Sequence, residues 1–86
     1  MTPELIKSVV DKTDSRRVEK NQLFCYLAYF YTELTYEKIG TYVNQKRSHV
    51  FYSIGAINNR IKTERNYMKK VNDLKLLLKP ATNQLE

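Results

Sequence analysis

Two glycines in 86 residues, Gly40 and Gly55, leave no way to write a Walker-type phosphate loop or a dinucleotide fingerprint, so nucleotide-driven chemistry is excluded from this stretch. One cysteine and one histidine fall short of a conventional zinc site, which takes three or four such ligands. Nor can a lone Cys25 close a disulfide within the chain. It sits in an apolar helical run and is expected as a buried structural thiol in a reducing compartment. No apolar run approaches the roughly 20 residues that cross a bilayer. The start, MTPELIKSVV, lacks a signal-peptide layout, so a cytoplasmic, nucleoid-associated location is expected. Ser48 and His49 are sequence neighbours, but adjacent helical residues diverge by about 100°. No acid can be placed beside them, and we expect no catalytic role, no cofactor and no metal.

What the chain does have is positive charge. Fifteen Lys and Arg stand against nine Asp and Glu, a net +6 that suits a polyanion. Proline is confined to the two ends, at Pro3 and Pro80, and the stretch between carries helical periodicity throughout. An all-α domain over residues 1–79 is therefore expected, followed by a flexible tail over 80–86.

Thr2, Pro3 and Glu4 form a helix start, with a capping side chain, proline at the first helical position and a carboxylate near the positive end of the dipole. Leu5, Ile6, Val9 and Val10 give that helix one buried face, and it should end near Asp11 to Thr13. The connector KTDSRR holds Lys12, Arg16 and Arg17, and Asp14 or Ser15 should cap the next helix. Such a basic loop can lie along a phosphate backbone or reach into a minor groove. The plainer alternative is a solvated loop. From Val18 to Leu34 the chain is broadly apolar, with Leu23, Leu27, Phe30 and Leu34 in one stripe and Phe24, Ala28 and Tyr31 widening it. This helix should be central to the core, with Tyr26 and Tyr29 at its sides.

The segment from Thr35 to Ile61 carries the functional signal. Thr35 caps a helix that ends near Val43, and a second helix, starting around Asn44 or Gln45, aligns Val50, Ile54, Ile57 and Ile61. Asn44 tolerates the left-handed backbone that a tight turn needs. This is the plan of a helix-turn-helix, whose second helix can enter the major groove. Gln45, Lys46, Arg47, Ser48 and His49 precede the apolar stripe, and Tyr52 lies off it. Arg and Lys bind guanine edges or phosphates, Gln pairs with adenine, and a helix N-terminus attracts phosphate. Beyond lies Lys62 to Lys79, where Tyr67, Val71, Leu74 and Leu78 repeat the helical pattern with Met68, Leu76 and Leu77 alongside. This segment either prolongs the preceding helix with a bend or forms a separate one, and its wide apolar face over 63–79 suits either core packing or a homodimer.

Helix, basic loop, long apolar helix, then LTYEKIGTYV, a short turn and RSHVFYSIGAINNRI: this order resembles the C-terminal DNA-binding domain of the bacterial replication initiator DnaA. It is similar above all to short stand-alone DnaA-like proteins of Bacteroidetes and their phages, which lack the ATPase portion. The resemblance spans Leu5 to Ile61 and rests on Gln22 with the run to Leu34, on Lys38-Ile39-Gly40, on Ser48 and Val50, and on Ile54, Ile57, Asn58 and Asn59. It implies a bundle of four to five helices containing a helix-turn-helix, of the DnaA domain IV and Trp-repressor-like kind. A basic loop would contact the minor groove while the second helix of the motif reads the major groove. The sequence departs from the family at Lys46, where an Asp is usual, at Arg47, where a His is usual, at His49, where a Thr is usual, and at Asn21, where an Arg is usual.

Together these readings predict a sequence-specific duplex-DNA-binding protein acting in replication or transcription regulation without ATPase activity. Its contacts would be Lys12, Arg16, Arg17, Gln45, Lys46, Arg47, Ser48, His49 and Tyr52. The alternative, from another class, is a protein-interaction or dimerisation module that uses the C-terminal amphipathic helix and has lost DNA binding.

Overall fold

Helix α1 (Pro3–Asp11) starts where the Thr2 hydroxyl accepts a hydrogen bond from the Leu5 amide at 3.2 Å, and Pro3 fills a position whose amide has no helical partner. The computed structural model describes residues 2–78, and the regular structure among them is all helical. After α1 come α2 (Arg17–Tyr31), α3 (Tyr36–Val43), α4 (Arg47–Thr63) and α5 (Arg65–Leu78). The fold class is all-α. Among the described residues, no helix is long and apolar enough to cross a membrane. The expected stop at Pro80, the tail over 80–86 and position 79 of the expected domain and dimerisation surface lie outside the described residues.

Helix α2 packs against α1, α3 and α4, and its face against α4 is the most extensive contact in the molecule. From Leu23 to Ala28 every residue is buried, so two turns of this helix are enclosed on all sides. Cys25 is buried as expected, and burial pushes its thiol up to about 11, with the Ser53 hydroxyl of α4 pulling slightly the other way. Two expectations for α2 are corrected. Phe30, in the last turn of α2, is 56% exposed, and Leu34 packs against the core from beyond the helix, where the Thr32 hydroxyl, which donates to the Ala28 carbonyl at 2.6 Å and accepts from the Leu34 amide at 3.2 Å, turns the chain early. Tyr26, expected at the side, is buried, with the Lys75 ammonium of α5 at 5.5 Å from its ring centre. On α1, Ile6 and Val10 are buried while Leu5 is exposed, so the buried face is narrower than the spacing predicts.

Helices α4 and α5 are separate. Glu64 between them is extended (φ −122°, ψ 106°), and its carboxylate accepts from Arg60 Nε and Nη2 at 3.1 and 3.3 Å. Tyr67, Val71, Leu74 and Leu78 are all buried, as their spacing predicts, whereas Met68, Leu76 and Leu77 are exposed.

One polar cluster ties α5 to the far side of the bundle. Lys70 Nζ donates to Glu19 Oε2 at 3.0 Å and to the Ser15 hydroxyl at 2.6 Å, and Arg60 Nη1 lies 3.5 Å from the same carboxylate. The Arg60 guanidinium also covers the Tyr67 ring at 3.8 Å. The buried Tyr67 hydroxyl sits near Glu19 without meeting any partner at hydrogen-bond geometry. Partial burial pushes the Glu19 carboxyl up, but Lys70, the Tyr67 hydroxyl and the Arg60 charge outweigh it and hold the group below its ordinary value of 4.5. A carboxyl depressed in the folded state stabilises above its unfolded pKa, and that contribution is lost as pH falls through the folded value. The stability gap between the wild type and Glu19→Gln, measured by urea unfolding, should therefore be constant from pH 7 to about 5 and shrink steadily below 4.5. A gap that persists unchanged at pH 2 would show that packing, not charge, holds the cluster.

Candidate nucleic-acid interface

Residues 44–46 join α3 to α4, and their shape follows from Asn44 and Gly40. Asn44 is left-handed (φ 56°, ψ 47°), the one non-glycine residue with positive φ among those described. Its amide and that of Gln45, the latter at 2.9 Å, both donate to the Gly40 carbonyl. Gly40 itself must lack a side chain, since a Cβ there would overlap the Gln45 carbonyl oxygen. The chain then runs extended through Lys46, and α4 begins at Arg47 rather than at Asn44 or Gln45. The later start follows from the hydrogen bonds that Gly40 draws back from the turn.

The helix starts fall into two kinds. Helices α1 and α3 open under capping hydroxyls, from Thr2 and from Thr35, which accepts from the Lys38 amide at 3.2 Å. Helices α2 and α4 open at Arg16 and Lys46, whose side chains cap nothing, and α4 has no acid in its first turn. Neither Asp14 nor Ser15 caps α2 as the sequence predicts, because Ser15 is held by Thr13 and Lys70. Two helix starts without a capping side chain therefore lie at the two basic segments, α4 with no acid in its first turn and α2 with Glu19, which is paired with Lys70 and Arg60.

These two ends share one surface. A concavity of about 440 Å³ is lined by Lys7, Arg17, Lys20 and Asn21 with Thr41 and Asn44, and Asp11 also borders it. Asn44 is equally part of the next hollow, formed with Gln45, Lys46, Ser48, His49 and Tyr52. Of the residues singled out in the sequence, Arg17 on one side and Gln45, Lys46, Ser48, His49 and Tyr52 on the other are thus brought together. Tyr52 is 65% exposed and its ring centre lies 6.2 Å from that of His49. Three residues are not brought into this surface. Lys12 and Arg16 are exposed in the connector and line neither hollow, while Arg47 sits on the opposite flank of α4 beside Thr35, Tyr36 and Glu37. Helical rotation of about 100° per residue separates Arg47 from Lys46 and Ser48.

Lys7 was not legible as a site residue, because only the packing of α1 on α2 carries it there. A further signal was present in the sequence itself: between Glu37 and Glu64 there is no acidic residue, while Lys38, Lys46, Arg47, Arg60 and Lys62 all fall in that interval. On the Arg47 flank, away from the two hollows, runs a row of aromatic rings. Phe30, Tyr29, Tyr36 and Phe51 come one after another at centre distances of 5.5, 5.7 and 5.9 Å, and Phe30 and Phe51 are more than half exposed.

Comparison with known protein families, curated proteins and solved structures returned no match for this chain.

Proposed function

We propose that this chain is a sequence-specific duplex-DNA-binding protein whose helix-turn-helix is formed by α3, residues 44–46 and α4, in the manner of the DnaA C-terminal domain that its sequence resembles. The observation that carries the reading is the joining, through Asn44, of two uncapped helix starts and their Lys and Arg residues into one surface. A phosphate backbone offers an anion for the amides of the α4 start, which has no acid of its own, and for the cations that flank both ends. Lys46, Ser48, His49 and Gln45 are placed for base edges and Arg47 for the groove's other wall, with Arg17, and Lys12 and Arg16 in the connector, on the phosphates. Regulation of replication or transcription follows as a role, without ATP hydrolysis.

The test is fluorescence anisotropy with duplex DNA over a salt series, followed by selection of the preferred sequence. Affinity should fall with a log–log slope of about −0.9 per phosphate contacted. Lys46→Ala should weaken the selected site by about 1–3 kcal/mol with little effect on random duplex. Arg17→Ala should weaken all duplexes alike and lower the slope by about one. Duplex affinity that is absent even at low salt, in a chain of net +6, would remove the proposal.

A second reading is favoured by the aromatic row and by exposed Leu76 and Leu77 on α5: an interaction or self-association surface, since protein interfaces are enriched in such rings. Sedimentation of the wild type against Phe30→Ser separates the two readings, because a monomer at high concentration gives this one no support.

A further inference from the structure

Gly55 lies in the middle of α4, exposed, and a Cβ placed on it would meet nothing within 4 Å. A glycine inside a helix is destabilising relative to alanine, through the backbone freedom it loses on folding. At Gly40 the fold itself demands the missing side chain. At Gly55 nothing in the fold does, and the bare backbone there is open to close approach from outside the molecule.

Helical geometry shows what stands with it. Ser48, Tyr52, Gly55 and Asn59 lie on one line of α4, on the side away from buried Val50 and Ile57, and all four are exposed. Exposed Asn58 and Lys62 border this line toward its far end. No acid occurs anywhere on α4. At about 1.5 Å per residue, Gly55 stands about 10 Å along the axis from Ser48, and Lys62 about 10 Å further. The major groove is about 12 Å wide. A helix whose first turn touches base edges therefore reaches the groove wall near Gly55, where a sugar-phosphate strand passes.

We propose that α4 crosses the groove obliquely with this whole line against the duplex, and that Gly55 is the point at which a DNA strand approaches the helix backbone most closely. Asn59 and Lys62 then hold the phosphates beyond it. The proposal rests on the duplex-binding reading above and extends its contact surface by about three turns of helix past Tyr52, to Lys62. The occupant is a polyanion because Lys62 borders the line and no acid occurs on α4, a surface complementary to phosphate.

The experiment compares wild type, Gly55→Ala and Gly55→Leu by anisotropy on the selected duplex, with thermal unfolding of each protein. Both variants fold, since their side chains enter open space. The expected result is a Tm about 4 °C higher for Gly55→Ala, with duplex affinity reduced severalfold for Ala and at least tenfold for Leu, and weaker salt dependence for Lys62→Ala. Gly55→Leu binding as tightly as wild type overturns the inference while leaving the duplex reading in place. Wild type that fails to bind any duplex overturns both. Should Gly55→Leu leave duplex affinity unchanged but abolish a dimer seen by sedimentation, the line belongs to a second copy and the inference is wrong.

Discussion

Phe24→Ala will cost the fold about 3–5 kcal/mol in urea unfolding, whereas Phe30→Ala, six residues later on the same helix, will cost less than about 1 kcal/mol. Phe24 is 1% exposed, with its ring centre 5.7 Å from that of Tyr42, and α1, α3 and α4 all close on the helix that carries it. Removing the ring takes apolar surface out of burial and leaves a cavity that three helices cannot collapse into together. A domain of this size holds about 5–15 kcal/mol in total, so the loss removes a large share of its stability. Phe30 instead stands more than half in solvent, touching Tyr26, Tyr29 and the Lys75 ammonium. Equal losses at the two positions would place Phe30 in the core and contradict its exposure.

The early end of α2 at Thr32 shows what the sequence withheld. Proline and glycine are the usual stop signals, and α2 uses neither; its stop is a threonine that donates back to Ala28 and accepts from Leu34, a role the composition of TELT does not announce. Helices α1 and α3 were legible because each has one apolar face and because Thr2, Thr35 and Asn44 are strong local signals; the buried face of α5 was legible too, but its break from α4 at Glu64, which no proline or glycine marks, was not. The start of α4 was misplaced for the opposite reason. Lys46 is no capping residue, and the nearest capping type, Asn44, is spent on the left-handed turn. Most of the candidate surface was readable as the polar run from Gln45 to His49, but its division was not: Arg47 faces α3 while Lys46, Ser48 and His49 face Asn44. Lys7 belongs to the surface only through tertiary packing, which no local pattern encodes.

The same substitution should act with opposite signs at the two glycines. Gly→Ala inside a helix ordinarily stabilises by up to about 1 kcal/mol, and at Gly55, in open space, it should do so. At Gly40 it should destabilise by about 3 kcal/mol, the upper end for overpacking, because the new Cβ strikes the Gln45 backbone carbonyl rather than a side chain that could swing away, and Val50 lies close behind. Two amide hydrogen bonds into the Gly40 carbonyl pass through the same few atoms, so the turn cannot open without losing them. Asn44→Gly serves as the control: it keeps the left-handed backbone at little cost, and its stability should stay within about 1 kcal/mol of wild type. Urea unfolding of the three variants measures the signs directly. Because Gly40 sets the distance between α3 and the Lys46–His49 turn, any Gly40→Ala protein that remains folded should also lose duplex affinity, on the proposed reading, without losing a single contact residue. A Gly40→Ala variant as stable as wild type would mean that residues 44–46 are not held against α3, and the joined surface through Asn44 would lose its basis.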